Sequence, residues 1–182
     1  MAAILGTLSR PIEAICTDAG SAGLVVPANY NADEQLVISG EVDGVERAMA
    51  LARDAGAKRA VRLNVSGAFH SPLMEPATSG LHDALRRATW QDSWCPVYAN
   101  VDAEPSRDAG AARDKLLRQL TSPVRWVDVV RRLARDFPDA RFVELGPGSV
   151  LTGLIRRIVP GRDAMACGTA AEATELLSRM AA

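Results

Sequence analysis

The chain has 182 residues, 48% of them hydrophobic and 24% charged, with a net charge of −1; this suits a globular protein with one core or two small ones. The charge balance gives no reason to expect a nucleic-acid partner. No apolar run has the length of a membrane helix, and no basic segment leads into an apolar one at the N-terminus, so no membrane partner is expected. Residues 2–7 read as a short strand. Ser9, Pro11 and Glu13 mark a helix start, with Ser9 as the cap and Pro11 in the first turn, and that helix ends near Gly20. Residues 24–28 and 35–39 read as strands joined by a polar turn over 29–34. Val45, Ala48, Met49, Ala52 and Ala55 then repeat at helical spacing, and 60–65 return to strand. The order β-α-β-β-α-β is a ferredoxin-like pattern filling residues 1–65.

From residue 66 onward the pattern changes. Leu73, Ala77, Leu81, Ala84, Leu85 and Ala88 form a helical stripe, and 96–101 is a strand. Helices are expected over 109–120 and 123–137, the second capped by Ser122 with Pro123 following. A strand at 141–145, a helix at 150–158, a strand at 164–167 and a helix at 170–180 complete the chain. Strands separated by helices of this length predict a parallel, helix-covered sheet over 66–182. The fold class is therefore α/β. Cys16, Cys95 and Cys167 are widely spaced and lack a C-x-x-C, so they read as reduced, packed thiols of a cytoplasmic protein. With only two histidines they offer no zinc set, and no metal is expected.

The stretch Val65-Ser66-Gly67-Ala68-Phe69-His70-Ser71-Pro72 carries the chemistry. His70 closes a strand-like run and precedes a helix start, where Ser71 can cap and Pro72 suits the first turn. Side chains at the C-terminal ends of strands face the ligand cleft in α/β folds, and an imidazole there can act as a base near neutral pH. A histidine that merely caps or packs is the competing reading. Asn29 and Asn31 are ordinary turn formers. The Gly146-Pro147-Gly148 run follows a strand and opens a helix; it reads as a structural turn and lacks nucleotide-binding spacing.

Together with Ala28-Asn29-Tyr30-Asn31, Gln35-Leu36-Val37-Ile38-Ser39-Gly40, Gly56-Ala57-Lys58-Arg59-Ala60, Asn100-Val101-Asp102-Ala103, Gln119-Leu120-Thr121-Ser122-Pro123-Val124-Arg125-Trp126 and the run Val143-Glu144-Leu145-Gly146-Pro147-Gly148-Ser149-Val150-Leu151-Thr152-Gly153-Leu154, this stretch resembles the malonyl-CoA:acyl carrier protein transacylase family in order and separation. The resemblance runs from Met1 to about Ile158. It implies a ferredoxin-like small subdomain, residues 1–65, and the C-terminal part of a hydrolase-like α/β subdomain, residues 66–182. It also implies that the family's Gly-His-Ser-x-Gly elbow and its carboxylate-gripping arginine lie upstream of the chain. The activity implied is malonyl transfer from malonyl-CoA to the phosphopantetheine thiol of acyl carrier protein in fatty acid biosynthesis, with malonyl-CoA as substrate and no cofactor. The chain alone is then expected to be inactive.

Acyl transfer needs a nucleophile, a base, a group orienting the base and an oxyanion hole. By resemblance His70 is the base, oriented by the main-chain carbonyl of Gln119, so the Gln119 side chain should matter little. The resemblance also implies that Phe69 bears on substrate choice, since Ala-Phe-His accompanies malonyl selection in related acyltransferases and the ring would fill space that a 2-methyl branch needs; a core aromatic is the competing reading. Asn29 and Asn31 match a cleft-facing loop of the small subdomain. Ala19-Gly20-Ser21-Ala22-Gly23 approaches a nucleophile elbow, but a helix precedes it and a strand follows, the reverse of what an elbow requires. From Arg118 to Arg179 ten arginines face seven acids, a mild excess suited to an acidic carrier protein and equally to solvated helix faces. The alternative readings are an acyltransferase domain of a polyketide synthase and a non-catalytic remnant that binds a partner.

Overall fold

The computed structural model describes residues 1–180. The first six elements are β1 (Ala2–Leu5), α1 (Ile12–Ala19), β2 (Val25–Ala32), β3 (Gln35–Gly40), α2 (Val42–Asp54) and β4 (Arg59–Arg62). Their sheet runs β2-β3-β1-β4 with every neighbouring pair antiparallel, the ferredoxin-like arrangement expected from the sequence. Strand β1 alternates, so Ala2 and Ile4 point into the core. Ile12, Ile15, Cys16 and Ala19 of α1 fall on one stripe, as do Val45, Ala48, Met49 and Ala52 of α2. These stripes join Ile4 and Ile38 in a single cluster. Each buried Ile or Val contributes about 1.5–3 kcal/mol.

Two glycines let the chain close over this core. A Cβ on Gly40 would stand 2.0 Å from the Leu24 carbonyl oxygen, and one on Gly44 would stand 2.3 Å from that of Gly23. Both neighbours are backbone, which cannot move aside as a side chain would. The start of α2 therefore lies directly against the start of β2.

Local details differ from the sequence expectation. Ser9 does not cap α1; Pro11 occupies that position, and the Ser9 N–H donates to the Ala55 carbonyl at 2.8 Å. The polar turn is only Asp33-Glu34. Asn29 and Asn31 belong to β2, which continues to Ala32 through two register shifts, between Pro27 and Asn29 and between Tyr30 and Ala32. Pro27 is tolerated because β2 is the edge strand of its sheet. Strand β4 ends at Arg62, and 63–70 run as irregular chain with bends at Ser66 and Gly67.

The remaining elements are a 3-10 turn (Pro72–Ala77), α3 (Thr78–Arg87), β5 (Val97–Tyr98), β6 (Pro105–Ser106), α4 (Ala109–Gln119), α5 (Trp126–Asp136), β7 (Phe142–Leu145), α6 (Val150–Ile158), β8 (Ala164–Cys167) and α7 (Ala170–Met180). The parallel sheet expected over 66–182 is reduced to one pair: β7-β8 is parallel, while β5-β6 is antiparallel. The helix expected from Pro123 begins instead at Trp126, because Val124 is engaged as a strand. Its N–H donates to the Ala28 carbonyl at 2.8 Å, and its carbonyl accepts from Tyr30 N–H at 2.9 Å.

The chain divides into two compact units, Met1–Val129 and Val130–Ala182. The expected division near residue 65 is one of topology; by compactness, 66–129 share a unit with the ferredoxin-like sheet. In the second unit the Glu144 carboxylate accepts N–H bonds from Thr152 at 2.7 Å and Leu151 at 3.0 Å. The Thr152 bond above all holds that carboxyl below its usual range. The first turn of α6 is thus already occupied by an acid of its own chain. Gly146 and Gly148, at φ +127° and +97°, make the turn between them, a conformation side chains rarely adopt. Thr169 and Glu172 form a reciprocal cap on α7.

Candidate active site

His70 sits at φ +58°, in the left-handed region where histidine is enriched among non-glycine residues. This bend reverses the chain between the irregular 63–69 segment and the 3-10 turn. It is secured on the far side by Ser71, which is fully buried. The Ser71 hydroxyl donates to the Ala68 carbonyl at 2.6 Å and accepts from Leu73 N–H at 3.3 Å. Ser71 therefore caps as the sequence suggested, and it also closes the loop that aims the histidine.

The ring of His70 is fixed by its Nδ1, 3.1 Å from the main-chain carbonyl oxygen of Gln119. A carbonyl can only accept, so Nδ1 must carry the proton. Nε2 is then the bare nitrogen, the one able to take a proton from a substrate or nucleophile. The acceptor is available for a local reason. Gln119 is the last residue of α4, where helical carbonyls lose their i+4 partners. The structure thus brings together two residues, 49 positions apart, that the resemblance pairs.

The other sequence candidates lie around this pair at different removes. Phe69 adjoins His70, is 39% exposed, and lays its ring against Gly67. Asn29 sits in the β2 segment that bridges to Val124, five residues beyond Gln119. A ladder of hydrogen bonds therefore leads from His70 through the 119–124 segment to the edge of the small sheet. Asn31, in the second bulge of β2, has no hydrogen bond among the described residues that joins it to this ladder.

Sequence reasoning missed the Gln119 side chain, whose Nε2 donates to the carbonyls of Ser122 at 2.9 Å and Pro123 at 3.2 Å. It also missed Tyr30, whose hydroxyl donates to the Glu13 carboxylate at 2.6 Å. Burial, and then that bond, raise the Tyr30 phenol well above its ordinary range. A polar side chain at a helix end followed by Ser-Pro was the available signal for the first. A cavity of about 420 Å³ is lined by Trp90, Tyr98, Leu116 and Gln119 among others. A second of about 560 Å³ is lined by Tyr30, Arg118, Ser122, Pro123 and Arg125 among others. Among the described residues no group of three or more His, Cys, Asp or Glu is placed to hold a metal ion, and no helix is long and apolar enough to cross a membrane.

Comparison with known proteins adds a family. The model of the acyl transferase domain matches residues 7–175. Malonyl CoA-acyl carrier protein transacylase of Salmonella typhimurium strain LT2 is 40% identical over 179 residues, covering 98% of this chain and 58% of that protein. The Bacillus subtilis strain 168 protein of the same name is 41% identical over 159 residues, covering 87% and 50%. The crystal structure of an acyl-carrier-protein S-malonyltransferase from Burkholderia pseudomallei 1710b superposes with a TM-score of 0.92 at 38% identity, over 97% of this chain and 57% of that one. A malonyl-transacylase solved in complex with a type II PKS acyl-carrier protein gives 0.92 at 37% identity, over 98% and 57%. The chain spans little more than half the length of these relatives.

Proposed function

The chain belongs to the acyl transferase domain family, and we propose that its residues carry the histidine half of a malonyl transferase. The reaction moves malonyl from malonyl-CoA to the phosphopantetheine thiol of acyl carrier protein, in the cytoplasm, in fatty acid biosynthesis. The observation that carries this reading is the His70–Gln119 contact, a base with its tautomer set by a main-chain acceptor. His70 Nε2 takes the proton of a serine hydroxyl as the oxygen attacks the thioester carbonyl. The tetrahedral intermediate collapses, and the imidazolium returns the proton to the departing CoA thiolate. In the second half the carrier's thiol gives its proton to Nε2 and attacks the acyl-serine, and the proton passes back to the serine oxygen. No cofactor enters either half.

The 182 residues contain no Gly-His-Ser-x-Gly; the serine is contributed by a segment outside them. Phe69 limits the space beside the malonyl C2, and Asn29 and Asn31 border the cleft from the small subdomain. The names of the relatives support the malonyl substrate and the carrier partner. A polyketide setting is kept as the alternative, because one structural neighbour was solved with a type II PKS carrier.

The test uses labelled malonyl-CoA. The chain alone should retain no label after denaturation. Joined to the part of the Salmonella relative that lies outside the match, it should pass label to holo acyl carrier protein. Stoichiometric labelling of the chain alone, or a joined protein that folds yet transfers nothing, would refute the reading. The same assay with methylmalonyl-CoA reads Phe69: Phe69→Ser should raise methylmalonyl use by up to ~10–200-fold relative to malonyl, the range for one methyl in a pocket. An unchanged preference leaves the ring as packing.

A further inference from the structure

We propose that the side-chain amide of Gln119 is a positioning residue for His70, acting through its own main-chain carbonyl. This rests on the reading of His70 as the base, and it reverses the expectation that only the main chain of Gln119 matters. The amide Nε2 has two protons, and both are used: one on the Ser122 carbonyl at 2.9 Å, one on the Pro123 carbonyl at 3.2 Å. The orientation of the amide follows from these partners. Turned over, its oxygen would face two carbonyl oxygens with no proton between them. The side chain therefore folds back across the turn that leaves α4.

That turn has little else to define it. Its main-chain bonds are long, at 3.3 Å from Thr121 N–H to the Arg118 carbonyl and 3.4 Å from Ser122 N–H to the Gln119 carbonyl. Pro123 has no N–H to add. Beyond it the chain is anchored, because Val124 pairs with β2 on both its polar groups and Arg125 N–H donates to the Asn100 carbonyl at 2.9 Å. The Gln119 amide thus joins a fixed strand at 124 to the helix end at 119. The direction of the Gln119 carbonyl, and with it the proton on His70 Nδ1, depends on that link. Without it the carbonyl keeps only the long 3.4 Å bond from Ser122 N–H across the turn, and the bond that holds the bare nitrogen of the imidazole at Nε2 is weakened.

The experiment is ¹⁵N NMR of the chain itself, labelled at histidine and glutamine. In the wild type, neutral His70 should be protonated at Nδ1, and the Gln119 amide protons should exchange with solvent more slowly than those of Gln35 and Gln91. Gln119→Leu keeps the main-chain carbonyl and removes both donors. The ratio of Nδ1–H to Nε2–H at His70 should fall several-fold, with His82 unchanged. Gln119→Glu, the same shape with no donor at neutral pH, should behave alike. A folded Gln119→Leu chain with the wild-type ratio overturns the proposal. So do Gln119 amide protons that exchange as fast as those of Gln35 and Gln91, a result that needs no variant. A wild-type His70 protonated at Nε2 instead would remove the base assignment itself, and this inference with it.

Discussion

Cys16 shows how the same residue type takes on different chemistry along one chain. It lies in the α1 stripe at 4% exposure, whereas Cys95 and Cys167 are half-buried. Burial first, and the Glu13 carboxylate second, push its thiol up to about 12. The folded chain therefore holds a proton that the unfolded chain releases near pH ~8.5. The stability this gives is fully present below that value and is lost as pH rises toward 12. At pH 8, Cys16 should react with iodoacetamide at least ~10-fold more slowly than the other two, as protonated buried thiols do. Mass spectrometry of partly alkylated protein measures this, and equal rates at all three cysteines would contradict it. All three cysteines read alike in the sequence, as packed thiols, and only Cys16, in the stripe with Ile12, Ile15 and Ala19, is buried. The left-handed bend at His70 was not legible either, since nothing local in Phe69-His70-Ser71 demands φ > 0. It is imposed by the Ser71 hydroxyl and by the distant Gln119 carbonyl.

At the scale of elements, sequence succeeded where periodicity was long and failed where a tertiary partner decided. The α2 stripe and the β1 alternation placed the small sheet correctly, because each element has a buried face that only one period satisfies. Pro123 after Ser122 looked like a helix start. Yet Val124 pairs with Asn29 on the edge strand β2, ninety-five residues earlier in the chain, and a β-bridge over such a distance leaves no sequence period. Likewise 96–101 has strand composition, but only Val97–Tyr98 finds a partner, in β6. Packing at the glycines gives a direct test of the small sheet. Gly44→Ala places a methyl 2.3 Å from the Gly23 carbonyl oxygen and should cost about 1–3 kcal/mol, the usual scale for overpacking. Gly80→Ala, with nothing within 4 Å of the added methyl, should stabilise α3 by up to about 1 kcal/mol. Urea denaturation of both variants checks the pair, and equal midpoints would show that the close approach at Gly44 is not maintained in solution.

For the molecule as a whole, the ferredoxin-like order followed from periodicity and family membership from motifs kept in register, while the His70–Gln119 contact, present at 3.1 Å, was implied by the resemblance alone. The Gln119 side-chain bonds were not implied, because their partners are main-chain carbonyls, which every residue has and no motif marks. The central claim is that His70 is the base of an acyl transfer, and one measurement reaches it most directly. The chain is joined to the part of a relative that supplies the serine, and the rate of malonyl transfer to holo acyl carrier protein is compared for His70→Ala and His82→Ala. His82 lies in α3 with its side chain 50% exposed and its Nδ1 3.6 Å from the Asp83 carboxylate, outside the His70 segment, so it serves as the control. His70→Ala should lose at least ~10²-fold in rate, the scale of general acid–base catalysis, and His82→Ala should stay near wild type. Equal rates for the two variants would contradict the assignment of His70 as the base.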